Sequence, residues 1–293
     1  MTRRASHPSL RDLMQQRRLI RAMAAHSPLS AVLVEEAGFD AAWASGFELS
    51  ALYGLADTSL VSMSDHWAMV RAMRFRCALP IVADIDTGFG NALNVIHAVE
   101  SYEQAGANAI VIEDKLFPKV TSLLPGGRQE LVREEEFQGK IEAAIHARSS
   151  PELLVIARTE ALIAGLGQEE AIRRARSYVD AGADMVLVHS KQHTPTEIET
   201  FLTAWDCATP IAIVPTSYPQ LDEARIAEIG KIGMVIYGNH AIRASVKAMR
   251  DAFRAIAAAG GAAGVVDTIA SVEDIFALQE MDRITAHERR FLR

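Results

Sequence analysis

The feature that most constrains the fold is a short apolar run that recurs eight times and ends each time in polar residues. Most of these runs are followed by a longer amphipathic stretch. The runs occupy residues 20–25, 41–44, 79–83, 109–112, 153–157, 185–188, 211–214 and 234–237. Continuous apolar runs are typical of parallel strands that are buried on both faces, whereas a strand with one exposed face alternates between apolar and polar residues.

These strand–helix units predict an α/β protein, a (β/α)8 TIM-type barrel with an extra C-terminal helix. The stretch 168–181 illustrates the helical half of a unit, because Ala171, Ala175 and Tyr178 lie at helical spacing and Gly182 follows as a stop signal. A doubly wound open sheet shares the pattern and is the alternative, but eight units favour closure.

No interior linker divides the chain, so we predict a single catalytic barrel domain over residues 1–293. Within it, residues 1–15 form an N-terminal extension and residues 265–293 a C-terminal helical segment. The glycine-rich stretch 260–264 separates the barrel from a last helix, which is predicted over residues 271–292.

The charge balance argues against one class of function. The chain has 30 Lys and Arg against 37 Asp and Glu, a formal net charge of −7. A nucleic-acid-binding protein needs a concentrated basic surface to neutralise phosphates, and no such concentration is found here. Small anionic substrates remain compatible with the sequence, because a few local cations can hold them.

Cysteine usage and hydropathy indicate a cytoplasmic protein with no membrane partner. Cys77 and Cys207 form neither a metal motif nor a disulfide framework. No apolar run approaches the roughly 18 residues that cross a bilayer. The arginine-rich N-terminus lacks the apolar segment of a secretory signal. We expect an exposed first helix containing Leu10, Leu13 and Met14, with an organellar transit peptide as the alternative.

Polar residues follow the predicted strands at their carboxyl ends, which meet at one rim of a closed barrel. They are Ser45, Asp84, Asp86, Glu113, Arg158, His189 and Asn239. Three carboxylates and two groups that carry positive charge or a proton are therefore expected at one mouth, which predicts a site for chemistry there.

The three acids predict a divalent metal. Asp84 and Asp86 are two residues apart, and in an extended segment their side chains project to the same side. Glu113 adds a third carboxylate, and such crowding is relieved by a cation, with Mg²⁺ or Mn²⁺ favoured by all-oxygen ligands. A pair of solvated turn acids is the alternative. The tight turn that residues 87–91 predict after a buried strand favours the metal site.

Arg158 and His189 end neighbouring strands and predict an oxyanion site. Arginine at a barrel rim can hold a phosphonate or carboxylate with two hydrogen bonds. The alternative for Arg158 is an ion pair with Glu160. Ser45 and Gly46 can present backbone N–H groups to a carboxylate or a developing oxyanion.

Residues 115–127 predict a mobile cover for the mouth. The two prolines and two glycines of this segment disfavour a long helix. We interpret it as an extended loop that closes as a lid, excludes water and delivers Lys119, Thr121 and Ser122 to a substrate. An ordinary long connection is the alternative.

Six motifs carry a resemblance to a known family. They are WASG at 43–46, DIDTGFGN at 84–91, EDKLFPK at 113–119, IARTEA at 156–161, HSK at 189–191 and GNH at 238–240. On these motifs the chain resembles the phosphoenolpyruvate mutase/isocitrate lyase superfamily, from about residue 15 to the C-terminus.

Residues 113–119 are similar to the branch of this superfamily that handles phosphonates. Its carbon–carbon lyases carry a catalytic cysteine in the corresponding loop, and this loop has none, which argues against isocitrate or methylisocitrate cleavage. Mutases of this branch carry Lys-Thr-Asn-Ser in the lid. This chain has Lys-Val-Thr-Ser at 119–122, and its Thr121 is similar to the threonine of the hydrolases. Residues 127–132, 136–140 and 235–243 are also similar to the hydrolases. Thr159 is a departure, because valine is more frequent there.

The resemblance implies hydrolysis of the carbon–phosphorus bond of 3-phosphonopyruvate to pyruvate and phosphate, with Mg²⁺ as cofactor or alternatively Mn²⁺ or Co²⁺. Asp84 would bind the metal directly, and the other metal-site acids, Asp57, Asp86 and Glu113, would hold metal-bound waters. Asp57 is identified by the resemblance alone.

The resemblance also implies which residues contact the substrate. The catalytic residues would be Lys119, Thr121, Arg158 and His189, of which Arg158 and His189 bind the phosphonyl group. Trp43, Ser45, Gly46, Phe47 and Ser122 would complete the substrate site, with the backbone N–H groups of Ser45 and Gly46 on the carboxylate.

Three other functions stay open. The phosphoenolpyruvate mutase reaction shares every step with the hydrolysis except the treatment of water. Cleavage or decarboxylation of a 2-oxo acid uses the same enolate logic, and a non-catalytic barrel could merely hold an oxo acid. The resemblance further implies a homotetramer, a dimer of dimers in which the C-terminal helix is exchanged between subunits.

Overall fold

The computed structural model describes residues 7–16, 18–124 and 126–293. Within these ranges, eight strands pair in chain order into a closed barrel, and each pairing is parallel. The strands are β1 (Ile20–Ala25), β2 (Ala41–Ala44), β3 (Ile81–Asp84), β4 (Ala109–Glu113), β5 (Leu154–Thr159), β6 (Met185–Val188), β7 (Ile211–Ile213) and β8 (Ile232–Tyr237). The prediction of a closed barrel is confirmed, and the alternative of an open sheet is wrong.

Helices alternate with the strands along the chain. They are α1 (Leu10–Gln15), α2 (Pro28–Glu36), α3 (Gly46–Leu52), α4 (Met63–Arg76), α5 (Ala92–Gln104), α6 (Glu134–Ala147), α7 (Gly167–Asp180), α8 (Thr196–Ala204), α9 (Glu223–Ile229), α10 (His240–Ala259), α11 (Val272–Leu278) and α12 (Met281–Phe291), with a short 3₁₀ helix at Val266–Thr268. Helix α7 ends where the sequence predicts, since Gly182 adopts a φ of 103° just beyond it.

The strands are buried on both faces, which is why their sequences are continuously apolar. Side chains that fill the barrel interior come from all of the strands and form one cluster, which includes Ile20, Val82 and Met234. A second layer packs between the strands and the surrounding helices. Burial of this apolar surface provides the main stabilisation of the barrel.

Helix α1 covers the amino end of the barrel rather than lying exposed. Leu10 and Leu13 are 1% and 3% exposed and belong to the cluster of the barrel interior. The expectation of an exposed first helix is therefore wrong, because its apolar stripe is buried under the strands. Residues 1–6 of the predicted N-terminal extension, and Pro125 of the predicted lid, lie outside the described residues.

The chain divides into two compact units, of which the first ends at Ala241 and the second comprises Ile242–Arg293. In the second unit, the last helix predicted over residues 271–292 is two helices, α11 and α12. Glu280 separates them with a φ of 58°, which interrupts the helical backbone. No helix in the described part of the chain is long and apolar enough to cross a membrane.

Candidate active site

A cavity of about 70 Å³ lies at the carboxyl ends of the strands, in the first unit. Most of the residues predicted for a site line it. They are Trp43, Ser45, Phe47, Asp57, Asp84, Lys119, Thr121, Ser122, Arg158 and His189, and the lining is completed by Leu123, Val214, Thr216, Ile236, Gly238 and Asn239. Asp86 and Gly46 line a smaller adjoining space together with Asp84.

The backbone after β3 turns sharply instead of continuing as a strand. Asp86 has a φ of 52°, and the N–H of Gly88 donates to the carbonyl of Ile85 at 2.9 Å. The expectation that Asp84 and Asp86 project from one face of an extended segment is therefore wrong. Aspartate tolerates this left-handed conformation, and the turn allows the N–H of Asp86 to donate to Oδ1 of Asp84 at 3.3 Å.

Helix α3 begins against these acids. Ser45 caps the helix by accepting from the N–H of Glu48 at 3.2 Å. The N–H of Gly46 points at Oδ2 of Asp84 at 3.4 Å. A Cβ at position 46 would lie only 3.0 Å from Oδ1 of Asp86, so glycine permits the close approach of the helix to the carboxylates.

Lys119 joins the acid cluster from the lid segment. Its Nζ lies 2.6 Å from Oδ1 of Asp86 and 3.0 Å from Oδ1 of Asp57. Burial works to lower the pKa of Lys119, but the carboxylates of Asp86, Asp57, Glu113 and Asp84 together hold that pKa well above its ordinary value. The four predicted metal-site acids thus surround one ammonium group, which stays charged.

Two of the acids have raised pKa values, which favours their protonated forms. Burial raises the pKa of Asp84, and it raises the pKa of Glu113 to about 7. Oε1 of Glu113 finds no hydrogen-bond partner among the described residues, and its Oε2 lies 3.3 Å from Nε of Arg158. A buried carboxylate oxygen without a partner is unfavourable, so this site calls for a further ligand.

The donor set fits a hard divalent cation that keeps part of its water shell. No group of three His, Cys, Asp or Glu side chains in the described ranges is arranged to hold an ion. Mg²⁺ commonly binds through only one or two carboxylates and retains several waters. The four acids offer only carboxylate oxygens, which matches that preference.

Arg158 forms both the ion pair that was its alternative role and part of the cavity wall. Its Nε lies 2.6 Å from Oε1 of Glu160, and its Nη2 lies 2.9 Å from Nδ1 of His189. Burial opposes the charge of Arg158, yet Glu160 and Glu113 hold its pKa above the usual value. The guanidinium therefore remains positive at the cavity.

The contact between Arg158 and His189 determines the form of the imidazole. Nδ1 lies 2.9 Å from Nη2 of Arg158 and 3.3 Å from Oε1 of Glu160, and the shorter contact decides: arginine can only donate, so Nδ1 accepts and the proton resides on Nε2. Burial lowers the pKa of His189, which also favours the neutral ring. Nε2 has no hydrogen-bond partner in the described part of the chain, so its N–H is available to a ligand.

The lid segment is an irregular loop in the described residues, as predicted. Its base is held by pairing of Lys115 with Leu131 and by an N–H···O bond of 3.0 Å from Leu116 to Glu130. Thr121 lines the cavity, and its carbonyl accepts from the side chain of Gln129 at 3.1 Å.

Sequence reasoning missed two buried charged residues beside the site. Glu160 is fully buried and Lys115 is 1% exposed, and Nζ of Lys115 lies 3.1 Å from Oε2 of Glu160. Both residues are within the EDKLFPK and IARTEA motifs, but the sequence offers no sign that their side chains meet. The sequence suggested Glu160 only as an ion-pair partner of Arg158.

A buried histidine behind the acid cluster was also missed. His66 lies in α4, lines the smaller space with Asp84 and Asp86, and contacts the hydroxyl of Tyr102 through Nδ1 at 2.8 Å. Its position inside a helix, away from any strand end, gave no signal of proximity to the site.

The chain is similar to known enzymes over nearly all of its length. The family model described as phosphoenolpyruvate phosphomutase matches residues 10–257. Phosphonopyruvate hydrolase from Variovorax sp. (strain Pal2) is 55% identical over 285 residues, which cover 97% of this chain and 98% of the relative. Phosphoenolpyruvate phosphomutase from Tetrahymena pyriformis is 39% identical over 283 residues, covering 97% and 94%.

A solved structure agrees with these relatives. The crystal structure of a phosphonopyruvate hydrolase in complex with oxalate and Mg²⁺ matches with a TM-score of 0.92 at 53% sequence identity. The match covers 97% of this chain and 98% of that one.

Proposed function

The chain belongs to the phosphoenolpyruvate phosphomutase family, and we propose that it hydrolyses the carbon–phosphorus bond of 3-phosphonopyruvate to pyruvate and phosphate. The observation that carries this proposal is the meeting, at one cavity, of an acid cluster with the Arg158–His189 pair beneath a loop that supplies Thr121. The loop contains no cysteine, which argues against the carbon–carbon lyases.

The acid cluster is proposed as the site of Mg²⁺, the ion in the related hydrolase structure. Asp84 would bind it directly, while Asp57, Asp86 and Glu113 would hold its waters. When bound, the cation would serve as a Lewis acid toward the oxygens of the oxo acid. Gly46 brings the start of α3 against these carboxylates. Its N–H and that of Ser45, which make only long contacts of 3.4 Å to Asp84 and to the carbonyl of Ala25, would orient the carboxylate of the substrate.

The basic side of the cavity is proposed to bind the phosphonyl group. Arg158 contributes a fixed positive charge, and the free Nε2–H of His189 contributes a neutral donor. Lys119 lines the same cavity, and its ammonium, which contacts Asp57 and Asp86, would add a second positive charge at the border between the acid cluster and this side. Together these groups would offset negative charge on the phosphoryl group as it leaves carbon.

Thr121 is proposed to orient the attacking water. Cleavage of the carbon–phosphorus bond leaves an electron pair on C3, which is acceptable because the adjacent ketone delocalises it as an enolate. Water attacks phosphorus in line with the departing carbon, so that its oxygen forms the new bond to phosphorus, and one of its protons ends on C3 when the enolate becomes pyruvate. Thr121 lines the cavity from the lid, where its hydroxyl can accept a hydrogen bond from that water or donate one to it. Trp43, Phe47 and Ser122 are proposed to enclose the substrate.

Phosphorus NMR of the reaction tests the proposal. Incubation of phosphonopyruvate with the protein and Mg²⁺ is expected to yield inorganic phosphate, and a chelator is expected to stop it. Phosphoenolpyruvate as the product would support the mutase instead, which the relative from Tetrahymena pyriformis keeps as the second candidate. Tight binding without turnover would support a non-catalytic barrel.

We also propose that the second unit mediates assembly into a homotetramer through exchanged C-terminal helices. Its helices expose large apolar side chains, including Phe253 at 65%, Phe276 at 49% and Phe291 at 62%. Apolar surface of this kind is typical of an interaction site. Light scattering is expected to give four times 31.9 kDa. A Phe253→Glu, Phe276→Glu variant should be smaller, whereas Leu93→Glu on α5 should not.

The expected compartment is the cytoplasm. Neither Cys77 nor Cys207 forms a disulfide in the described part of the chain, which is typical of a reducing compartment. Fractionation of cells that express the tagged chain would test this location.

A further inference from the structure

One buried carboxylate connects the lid to the residues proposed to bind the phosphonyl group. Glu160 follows β5 and has no exposed surface. On one side its Oε1 lies 2.6 Å from Nε of Arg158 and 3.3 Å from Nδ1 of His189. On the other side its Oε2 accepts from the hydroxyl of Ser122 at 2.6 Å and lies 3.1 Å from Nζ of Lys115.

Lys115 holds the lid through hydrogen bonds to two of its residues. Its Nζ donates to the carbonyl of Val120 and to Oγ of Ser122, each at 2.7 Å. Oγ of Ser122 also accepts from Nη2 of Arg158 at 3.1 Å. The lid segment 120–122 is therefore held by the same charges that orient the guanidinium.

The backbone of Glu160 is fixed from behind. Its N–H donates to Oδ1 of Asp114 at 2.8 Å, and Oδ2 of Asp114 accepts from the hydroxyl of Tyr178 at 2.6 Å. The backbone of Glu160 cannot shift when the lid moves without losing these contacts. Burial opposes its charge, but Arg158 and Lys115 hold its pKa well below the ordinary value, so it is a carboxylate.

We propose that Glu160 is a positioning residue that couples closure of the lid to the orientation of Arg158 and His189. With the lid closed, Oε1 of Glu160 holds Nε of Arg158 so that Nη2 contacts His189, while Oε2 contacts Lys115 and Ser122 of the lid. With the lid displaced, Oε2 of Glu160 loses Ser122, and Nη2 of Arg158 loses Oγ of Ser122, so the lid no longer fixes the Nη2 end of the guanidinium. Glu160 acts through these neighbours, does not line the cavity, and this inference rests on their proposed role in binding the phosphonyl group.

Two ligands separate the halves of the site. Oxalate, which a related hydrolase binds with Mg²⁺, has no phosphonyl group and probes the acid half alone. Sulfopyruvate, in which a sulfonate replaces the phosphonyl group, probes both halves. The dissociation constants of both are measured by calorimetry in Mg²⁺ for the full chain and for Glu160→Gln.

Glu160→Gln is expected to raise the dissociation constant of sulfopyruvate by about 10- to 100-fold, the loss expected for a charge-assisted contact. The dissociation constant of oxalate should change by less than about 3-fold. The matched control is Glu142→Gln on the exposed face of α6, which should change neither constant. Equal loss of both ligands would mean general distortion of the site and would overturn the proposal, as would no change in either.

Trypsin cleavage supplies a readout of the lid itself. The side chain of Lys119 is 5% exposed in the closed lid, whereas that of Arg128 is 82% exposed. Sulfopyruvate should slow cleavage after Lys119 in the unmodified chain and fail to do so in Glu160→Gln, while cleavage after Arg128 is the internal reference. Protection of Lys119 that is equal in both proteins would contradict the coupling.

A second variant keeps the test decisive if Glu160→Gln folds poorly. Lys115→Met removes the ammonium that contacts Glu160 without altering Arg158. It should produce the same selective loss of affinity for sulfopyruvate. The double variant should lose little more than either single variant, because both substitutions break one connection. Losses that multiply would show independent effects and overturn the proposal. A chain that binds sulfopyruvate yet releases no phosphate from phosphonopyruvate would contradict the proposed function and leave the coupling standing.

Discussion

Nη2 of Arg158 donates to Nδ1 of His189 at 2.9 Å, and this contact places the imidazole proton on Nε2. The ring is therefore a neutral hydrogen-bond donor toward the cavity rather than a base. A general-base role for His189 would require Nε2 to be free of its proton, which the contact with an obligatory donor at Nδ1 disfavours.

Nitrogen NMR of the imidazole should show the Nε2–H tautomer from pH 8 down to below pH 6.5. The reason is that burial lowers the pKa of His189 from its ordinary value. His189→Gln, which can keep a donor near the position of Nε2, should retain more kcat/KM than His189→Asn, which keeps only an acceptor for Arg158. A ring that becomes charged near pH 6.5 would refute this assignment.

Metal affinity should depend on pH through Glu113. Because burial raises its pKa to about 7, the acid holds a proton below that pH and must release it when a cation binds. Mn²⁺ affinity, measured by electron paramagnetic resonance, should rise by up to about tenfold per pH unit below 7 and level off above it. Glu113→Gln should flatten the profile, and Glu142→Gln should keep it; an unaltered slope in Glu113→Gln would be inconsistent with this account.

Thr121→Ala should reduce kcat by about 10²- to 10³-fold, as loss of an oriented transition-state hydrogen bond does, and leave KM nearly unchanged. Thr121→Ser retains the hydroxyl and should keep most of the activity. Steady-state kinetics with phosphorus NMR detection distinguishes these outcomes. Turnover of Thr121→Ala at the unmodified rate would remove Thr121 from the mechanism.

Thr159→Val should destabilise the fold without slowing the reaction. The hydroxyl of Thr159 donates to Oδ2 of Asp114 at 3.2 Å and accepts from the N–H of Ala161 at 3.3 Å, and all three residues are buried. The free energy of unfolding in urea should fall by about 1–2 kcal/mol, while kcat changes by less than about twofold. A slower enzyme of unchanged stability would instead mean that Thr159 acts on Arg158.

The barrel was predictable because a strand that is buried on both faces must be apolar throughout, and this requirement shows in the sequence. Every predicted strand end lies within two residues of the observed one. The residues at the rim could also be predicted, because the carboxyl ends of parallel strands in a closed barrel converge. Asp57 did not follow, because it lies in the loop between α3 and α4, where no periodicity marks it.

What the sequence could not supply were the contacts between side chains. The left-handed backbone of Asp86 depends on the turn that packs behind it, and a DxD motif is equally compatible with an extended segment. The pairing of Lys119 with Asp57 and Asp86 depends on where the lid lies. A connection of about a dozen residues without periodic pattern does not determine its own path.

The burial of Leu10 and Leu13 beneath the strands has a kinetic consequence. Since the barrel interior is packed and α1 covers its amino end in the described residues, pyruvate and phosphate have to depart by the route through which phosphonopyruvate arrives. Departure is then sequential, and whichever product leaves last should be a competitive inhibitor, while the other should inhibit noncompetitively.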